Sequence, residues 1–272
     1  MRPEDGAAAG APPARVRRAL RLARLVAPLR RELVELTEQL WPPRCVLCRA
    51  RARGGAWCAA HVLPERPPGP RCPACAGPLP PFHADLPGLR CVLCREAPLG
   101  LRGALALADY RAQPAARDYV LALKHGGRAD LAVPLGRALA ERLIASDWAP
   151  EAERAEVVVP VPVHAWRRFE RGYDQAQRLG RALAEAAGLP FVRALARTRD
   201  TPPQGSPWAG SREGNVRGAF RVRPRWASRV SGRRCLLVDD VITSGATVRE
   251  CARALRRAGA RDVVGVFVAS AR

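Results

Sequence analysis

Apolar positions along this chain alternate between short unbroken runs and helical stripes. Leu236 to Val238 is a run of the kind a buried strand presents, and Val248, Cys251, Ala252 and Leu255 beyond it share one helical face. Gly103 to Tyr110, Val157 to Val163 and Asp262 to Ala269 read as further strands. The β-branched Val157 run suits a central parallel strand, with Pro160 and Pro162 bending its exit. Between these the periodicity predicts helices over Ala115 to Lys124, over about Leu131 to Ile144, and from beyond Gln175 to about Ala187 with Ala176, Leu179, Leu183 and Ala186 inward. Pro190 to Ala196 and Gly218 to Val222 read as short strands. Residues 145–155 read as a polar linker, and Arg197 to Asn215, rich in Gly, Pro and Ser, as a mobile loop over a site. The order of strands and helices is that of an α/β protein with a parallel sheet.

The N-terminal part has another texture. Residues 1–14 are rich in Ala, Gly and Pro and read as disordered. From Val16 to Trp41 the residues Leu20, Leu22, Leu25, Val26, Leu29, Leu33, Leu36 and Leu40 alternate with Arg and Glu. That is an amphipathic helix, packed on its own protein or, given its basic first half, lying on a membrane surface or a partner. Pro42 and Pro43 end it.

Composition changes this picture in two ways. The net charge of +21 is almost wholly arginine, since Lys124 is the only lysine among 46 basic residues. Together with the abundant Ala, Gly and Pro this is what a GC-rich genome produces, so the charge by itself points only weakly to nucleic acid. No stretch approaches the ~18 apolar residues of a membrane span, and no signal-peptide h-region with a cleavage site is present. The expected location is cytoplasmic, peripheral at the membrane if the N-terminal helix binds there.

Cysteine placement adds a metal. Seven of the nine cysteines lie between Cys45 and Cys94, which in a reducing compartment indicates metal rather than disulfides. Cys45-x-x-Cys48, Cys58-x-x-His61, Cys72-x-x-Cys75 and Cys91-x-x-Cys94 form knuckles, and two knuckles make the tetrahedron zinc prefers. Eight ligands hold one or two zinc ions. The simplest pairing joins the first knuckle to the second and the third to the fourth, though a crossed arrangement would use the same residues. A closed four-ligand site is structural, and this segment is too poor in large apolar residues to hold a core without metal. Arg44, Arg49, Arg51 and Arg53 would also let such a module touch nucleic acid.

The chemistry concentrates in Arg234 to Thr247. Gly245 and small hydroxyl residues let backbone N–H groups converge at a helix N-terminus, which favours an anion. Thr243, Ser244 and Thr247 add hydroxyl donors fit for a phosphate monoester. Asp239 and Asp240 would repel that phosphate, but they suit the hydroxyls of a ribose beside it, or a bridging Mg²⁺. Two basic loops accompany the motif. Lys124 to Arg128 flanks a Gly-Gly break. Arg167, Arg168 and Arg171 interleave with Trp166, Phe169 and Tyr173 after the Val157 strand, a pattern fit for pyrophosphate or stacked bases.

The apolar strand, Asp239-Asp240 and Thr243-x-Gly245-x-Thr247 resemble the phosphoribosyl pyrophosphate (PRPP) motif of type I phosphoribosyltransferases. The cysteine knuckles, Ala122 to Arg128, Val159-Pro160-Val161-Pro162, Arg171 to Ala176, Arg197-x-x-x-Thr201-x-x-Gln204, Asn215 to Phe220 and the Asp-Asp motif follow the order found in the ComF family of ComFC-like competence proteins. The resemblance implies a zinc-ribbon module before a type I phosphoribosyltransferase fold, a parallel-sheet core with helices on both faces and a hood. The expected domains are a tail and helix over 1–40, a double zinc-ribbon module over 41–99, and a phosphoribosyltransferase-like domain over 100–272. It further implies that Asp239 and Asp240 face the ribose 2′- and 3′-hydroxyls, that Thr243, Ser244, Gly245, Ala246 and Thr247 hold the 5-phosphate, and that Arg167, Arg168, Arg171, Lys124 and Arg128 meet pyrophosphate, with Mg²⁺. Asp174 departs from the family, where Asn is frequent. The implied activity is phosphoribosyl transfer from PRPP to an acceptor the residues do not identify. The alternative is a non-catalytic adaptor that binds single-stranded DNA beside a DNA-uptake helicase, its PRPP site regulatory or vestigial.

Overall fold

The structure, a computed structural model, describes residues 42–52, 56–62, 69–81, 88–145, 155–163, 172–198 and 216–272. The amphipathic helix expected before Pro42, the arginines at 167, 168 and 171, and the loop over 199–215 lie outside those residues. The chain divides into two compact units, residues 1–59 and 60–272.

The larger unit is built on a parallel sheet. Its strands are β1 (Gly103–Asp109), β2 (Val157–Pro160), β5 (Arg234–Ile242) and β6 (Asp262–Ser270), in the order β1-β6-β5-β2. A separate antiparallel pair, β3 (Leu195–Arg197) with β4 (Phe220–Val222), has Leu195 opposite Val222 and Arg197 opposite Phe220. The helices are α1 (Val92–Glu96), α2 (Pro114–His125), α3 (Ala132–Ala145), α4 (Gln175–Ala187), the short α5 (Ala227–Val230) and α6 (Ala246–Arg257).

Both sheet faces are covered, as parallel strands require, since successive side chains of a buried strand need an apolar partner on each side. Val157, Val159, Cys235 and Leu237 share one buried cluster with Val248, Cys251, Ala252 and Leu255 of α6. Val158 points the other way, toward Gly180 on α4. Helix α3 packs closely on α4 through Gly136, where a Cβ would stand 2.5 Å from that of Ala182.

Three expected elements differ in extent. Strand β5 runs through Asp239 and Asp240 to Ile242, although the carboxylates were expected after the strand. Pairing with β6 as far as Ile242 opposite Ser270 carries the ladder past the end of the apolar run. Strand β2 ends at Pro160, whose ring interrupts the ladder, and only the Val161 N–H reaches on to the Val238 carbonyl at 2.9 Å. The expected strand over Pro190 to Ala196 is a single bridge from Phe191 to Val158 followed by β3.

Residues 69–101 are not peripheral to this sheet. Cys72, Cys75, Cys94, Leu99 and Leu101 belong to the same buried cluster as the α6 face. The Ala104 N–H donates to the Pro73 carbonyl at 2.8 Å, and the Ser270 hydroxyl donates to the Cys75 carbonyl at 3.2 Å.

Candidate functional site

The site forms where parallel α/β sheets bind ligands, beyond the carboxyl ends of the central strands. Strand alternation sends the two carboxylates to opposite faces at the end of β5. Asp240, buried, faces α2 and α4. Lys124 Nζ lies 3.3 Å from one of its oxygens and Gln175 Nε2 donates to the other at 3.3 Å. Asp239 is half-buried, and its Oδ1 accepts the Asp240 N–H at 2.8 Å. Burial first, and then the Asp240 charge, hold the Asp239 carboxyl well above the ordinary carboxylate range.

A carboxyl raised in this way destabilises the fold when ionised. The penalty is absent below the ordinary carboxylate pKa of about 4 and grows as pH rises through the shifted one. Asp239→Asn keeps the acceptor for the Asp240 N–H and removes the charge. It is expected to melt a few degrees above the parent protein at neutral pH, the gap closing as pH falls toward about 4. A gap of constant size across that range, or a lower melting point at neutral pH, would contradict this account.

Beyond Ile242 the chain turns through Thr243, Ser244 and Gly245 into α6. Gly245 caps the helix with φ of +79°, a left-handed conformation that glycine adopts without strain. Its missing side chain also matters sterically: a Cβ there would lie 2.2 Å from Arg272 Nη1 and 2.4 Å from Leu99 Cδ2. The Arg272 Nη1 donates to the Ser244 carbonyl at 2.9 Å, so a guanidinium backs the loop from the protein side. The turn leaves the first N–H groups of α6 at the helix start, where the dipole favours an anion, and the Ser244 hydroxyl accepts the Ala246 N–H there at 3.5 Å. Asp239, Asp240 and this loop are contiguous, as the sequence implied.

The other expected residues have distinct placements. Lys124 reaches the acidic pair. Arg128 forms a two-point pair with Asp130, Nε to Oδ1 at 2.9 Å and Nη2 to Oδ2 at 2.7 Å. Asp174 caps α4: Oδ1 accepts the Gln177 N–H at 2.9 Å and Oδ2 accepts from Gln177 Nε2 at 2.5 Å. Both of its oxygens are engaged in holding the helix start. Tyr173 donates from its hydroxyl to the Leu123 carbonyl at 2.5 Å, tying this turn to the end of α2 beside Lys124.

Three contributors were not singled out in the sequence. Gln175 stands inside the Arg171 to Ala176 motif with no local mark of a role, and its proximity to Asp240 depends on how α4 docks on β5. Arg272 is distant in sequence from the loop it supports. Glu250, buried on α6, accepts the Gly218 N–H at 2.7 Å and pairs with Arg253 Nη1 at 2.7 Å, fastening the 216–218 turn to the helix. A Glu five positions after Gly245 was the available signal for the last of these.

The cysteines form the two groups expected from neighbouring knuckles. Cys45, Cys48, Cys58 and His61 have ligand atoms within 4.8 Å of one another, and so do Cys72, Cys75, Cys91 and Cys94. The Cys48–Cys58 and Cys75–Cys91 sulfur separations are 3.7 and 3.8 Å. Zinc–sulfur bonds of about 2.3 Å make a tetrahedral edge of about 3.8 Å, so both donor sets fit zinc. Backbone N–H groups already serve these sulfurs: Gly77 donates to Cys75 and Cys91 to Cys72, each at 3.4 Å. Hydrogen bonds from Cys75 and Cys94 pull the Cys72 thiol far down, while the same bond to Cys72 holds Cys94 up at about 12. Four thiolates within 4.8 Å of one another repel, and holding them together requires a cation. The other two cysteines are core thiols; burial raises Cys235 to about 12 and Cys251 well above its ordinary range.

Among the described residues, no helix is long and apolar enough to cross a membrane. Residues 131–272 match the family model of the phosphoribosyl transferase domain. The chain is 31% identical over 225 residues to the DNA utilization protein YhgH of Escherichia coli K12, covering 82% of this chain and 94% of that protein. It is 33% identical over 109 residues to Competence protein F of Haemophilus influenzae, covering 40% of this chain and 47% of that one. Among solved structures, a glutamine PRPP amidotransferase from B. subtilis complexed with ADP and GMP aligns with a TM-score of 0.36 at 26% identity, over 54% of this chain and 30% of that one.

Proposed function

The chain belongs to the ComF-type family of phosphoribosyl transferase domain proteins, and from that premise we propose that it binds PRPP with Mg²⁺ and transfers the phosphoribosyl group. One observation carries the reading: two carboxylates end the central strand β5 directly before a glycine-tightened turn into α6. A 5-phosphate at the α6 N-terminus leaves the ribose hydroxyls toward Asp239 and Asp240, which accept hydrogen bonds from them. Mg²⁺, for which these hard oxygen donors are suited, would neutralise pyrophosphate when bound. In this reading Arg167, Arg168 and Arg171, which lie outside the described residues, meet the pyrophosphate. The C1–oxygen bond breaks with its electron pair leaving on pyrophosphate, and an acceptor nucleophile bonds to C1 and releases its proton. The protein's part is to orient the ribose and stabilise the departing charge. Lys124 and Gln175 are positioning residues that fix the Asp240 carboxylate.

Calorimetric titration with PRPP and Mg²⁺ tests this, comparing the zinc-loaded protein with Asp240→Asn. The expected result is saturable binding that the variant weakens by 100-fold or so, a loss of about 2.7 kcal/mol. A folded parent protein that does not bind PRPP would end the reading.

The relatives' names, DNA utilization and competence, support a second reading as a non-catalytic adaptor that binds single-stranded DNA. In that case Asp240→Asn leaves DNA binding unchanged and PRPP turnover is absent.

A further inference from the structure

Helix α6 carries two opposed faces. Val248, Cys251, Ala252 and Leu255 are buried against the sheet. Arg249, Arg253, Arg256 and Arg257 form a second stripe at spacings of four, seven and eight from the first, which is one helical face. This stripe does not simply stand in solvent. With Pro98, Leu99 and Gly100 it lines an open recess of about 450 Å³.

Three of the guanidiniums are held in place there. Arg256 Nε donates to the Gly100 carbonyl at 2.9 Å, Arg249 Nη2 donates to the Ala97 carbonyl at 3.3 Å, and Arg253 Nη1 pairs with Glu250 at 2.7 Å. Among the described residues that line the recess none is acidic, and the one carboxylate named beside it, Glu250, is spent on Arg253. One wall is Leu99, 2% exposed, which supplies apolar surface. Four like charges therefore fall along about 12 Å of helix, within roughly a Debye length of one another at physiological salt. Helix-dipole complementarity accounts for Arg256 and Arg257 in the last turn, but not for Arg249 and Arg253.

We propose that this α6 recess is a second anion site, separate from the β5–α6 turn, that binds a phosphate-bearing ligand. Planar guanidinium forks match phosphate oxygens in pairs, and an oligophosphate brings the several negative charges that suit a row of arginines offset by Glu250 at Arg253. The volume suits one nucleotide, and the length of the stripe suits successive phosphates of a strand. The shared chemistry is a run of phosphoester or phosphoanhydride groups, from a free nucleoside triphosphate or from single-stranded nucleic acid. The site stands on α6 whether or not PRPP is turned over.

The test uses the full, zinc-loaded chain and two double variants. Arg253→Gln/Arg257→Gln removes two recess charges from exposed positions, and Arg137→Gln/Arg229→Gln removes the same charge from exposed positions elsewhere. Fluorescence anisotropy with a labelled 20-mer of deoxythymidine is expected to show at least tenfold weaker binding for the recess variant and less than twofold for the control. The slope of log affinity against log salt becomes shallower by about 1.4 for two lost phosphate contacts. Direct titration with ATP and with tripolyphosphate separates the sources. Recess-dependent binding of those ligands without binding of the 20-mer supports the site with a nucleotide as its ligand, and the reverse supports a strand. Equal losses in the two double variants, or no binding of any of the three probes, would overturn the proposal.

Discussion

Gly245→Ala is expected to eliminate measurable PRPP binding and to destabilise the larger unit by about 2–4 kcal/mol. Two separate costs add at this residue. A side chain at φ of +79° costs about 1–2 kcal/mol by backbone strain alone. The new Cβ would also stand 2.2 Å from Arg272 Nη1 and 2.4 Å from Leu99 Cδ2. Contact between carbon atoms is comfortable only at about 3.5–4.0 Å, and a buried Leu99 has little room to withdraw. The easiest relief is a shift of the turn itself, which misdirects the N–H groups that would hold the phosphate. Adding Arg272→Ala removes one obstruction but neither the strain nor Leu99. The double variant is therefore expected to regain part of the lost stability and little of the binding, a non-additivity readable by a mutant cycle of melting and calorimetry. If Gly245→Ala melts and binds like the parent, the loop conformation described here is not what the ligand requires.

Metal removal is expected to act very differently at the two cysteine groups. Cys72, Cys75 and Cys94 are essentially inaccessible and share the core cluster with α6 and the sheet, whereas Cys48 is exposed. A chelator titration should release zinc in two phases, the Cys45 group first and the Cys72 group slowly. Only the second phase should coincide with a fall in melting temperature of more than about 10 °C, because structural zinc contributes on the order of 10 kcal/mol to folding and its loss would leave thiolates repelling one another inside the core cluster. The same phase is expected to weaken PRPP binding. The route is short: the Arg272 carbonyl lies against Gly77, two residues after Cys75, and the Arg272 side chain holds the Ser244 carbonyl. Cys45→Ser/Cys48→Ser should leave both melting and binding of the larger unit within a few degrees and twofold of the parent. Release of all zinc in one phase without thermal effect would show that the second group is not part of the core's support.

The strands and helices of the sheet domain were legible because their patterns are local. Val157 to Val159 and Val263 to Val268 are nearly continuous apolar runs, as strands covered on both faces must be, and the α6 stripe repeats at helical spacing. The candidate segment Asp239 to Thr247 stood out for a related reason. A carboxylate pair, a glycine and hydroxyls within nine residues can meet one ligand without help from elsewhere in the chain. Cysteine knuckles are local too, and neighbouring knuckles did pair.

Tertiary structure decided what depends on docking. The length of β5 past its apolar run is set by β6, whose pairing satisfies the backbone of Asp239 to Ile242. Lys124 was legible as a cation beside a Gly-Gly break, and the approach of α2 to β5 sets its ammonium beside Asp240. Asp174 stood out in the sequence only as a departure from the family's frequent Asn, and it is the docking of α4 that gives it a role, as the cap whose two oxygens hold the helix start. Arg272 and Leu99, far apart in the chain, close around Gly245 because β6 and the Cys72 group meet behind the α6 turn. Sequence alone determined that a carboxylate pair, hydroxyls and a glycine stand side by side at one strand-to-helix turn, since adjacency in the chain suffices for that. Which charges face them, and what keeps their turn in place, required the packing of elements that no periodicity records.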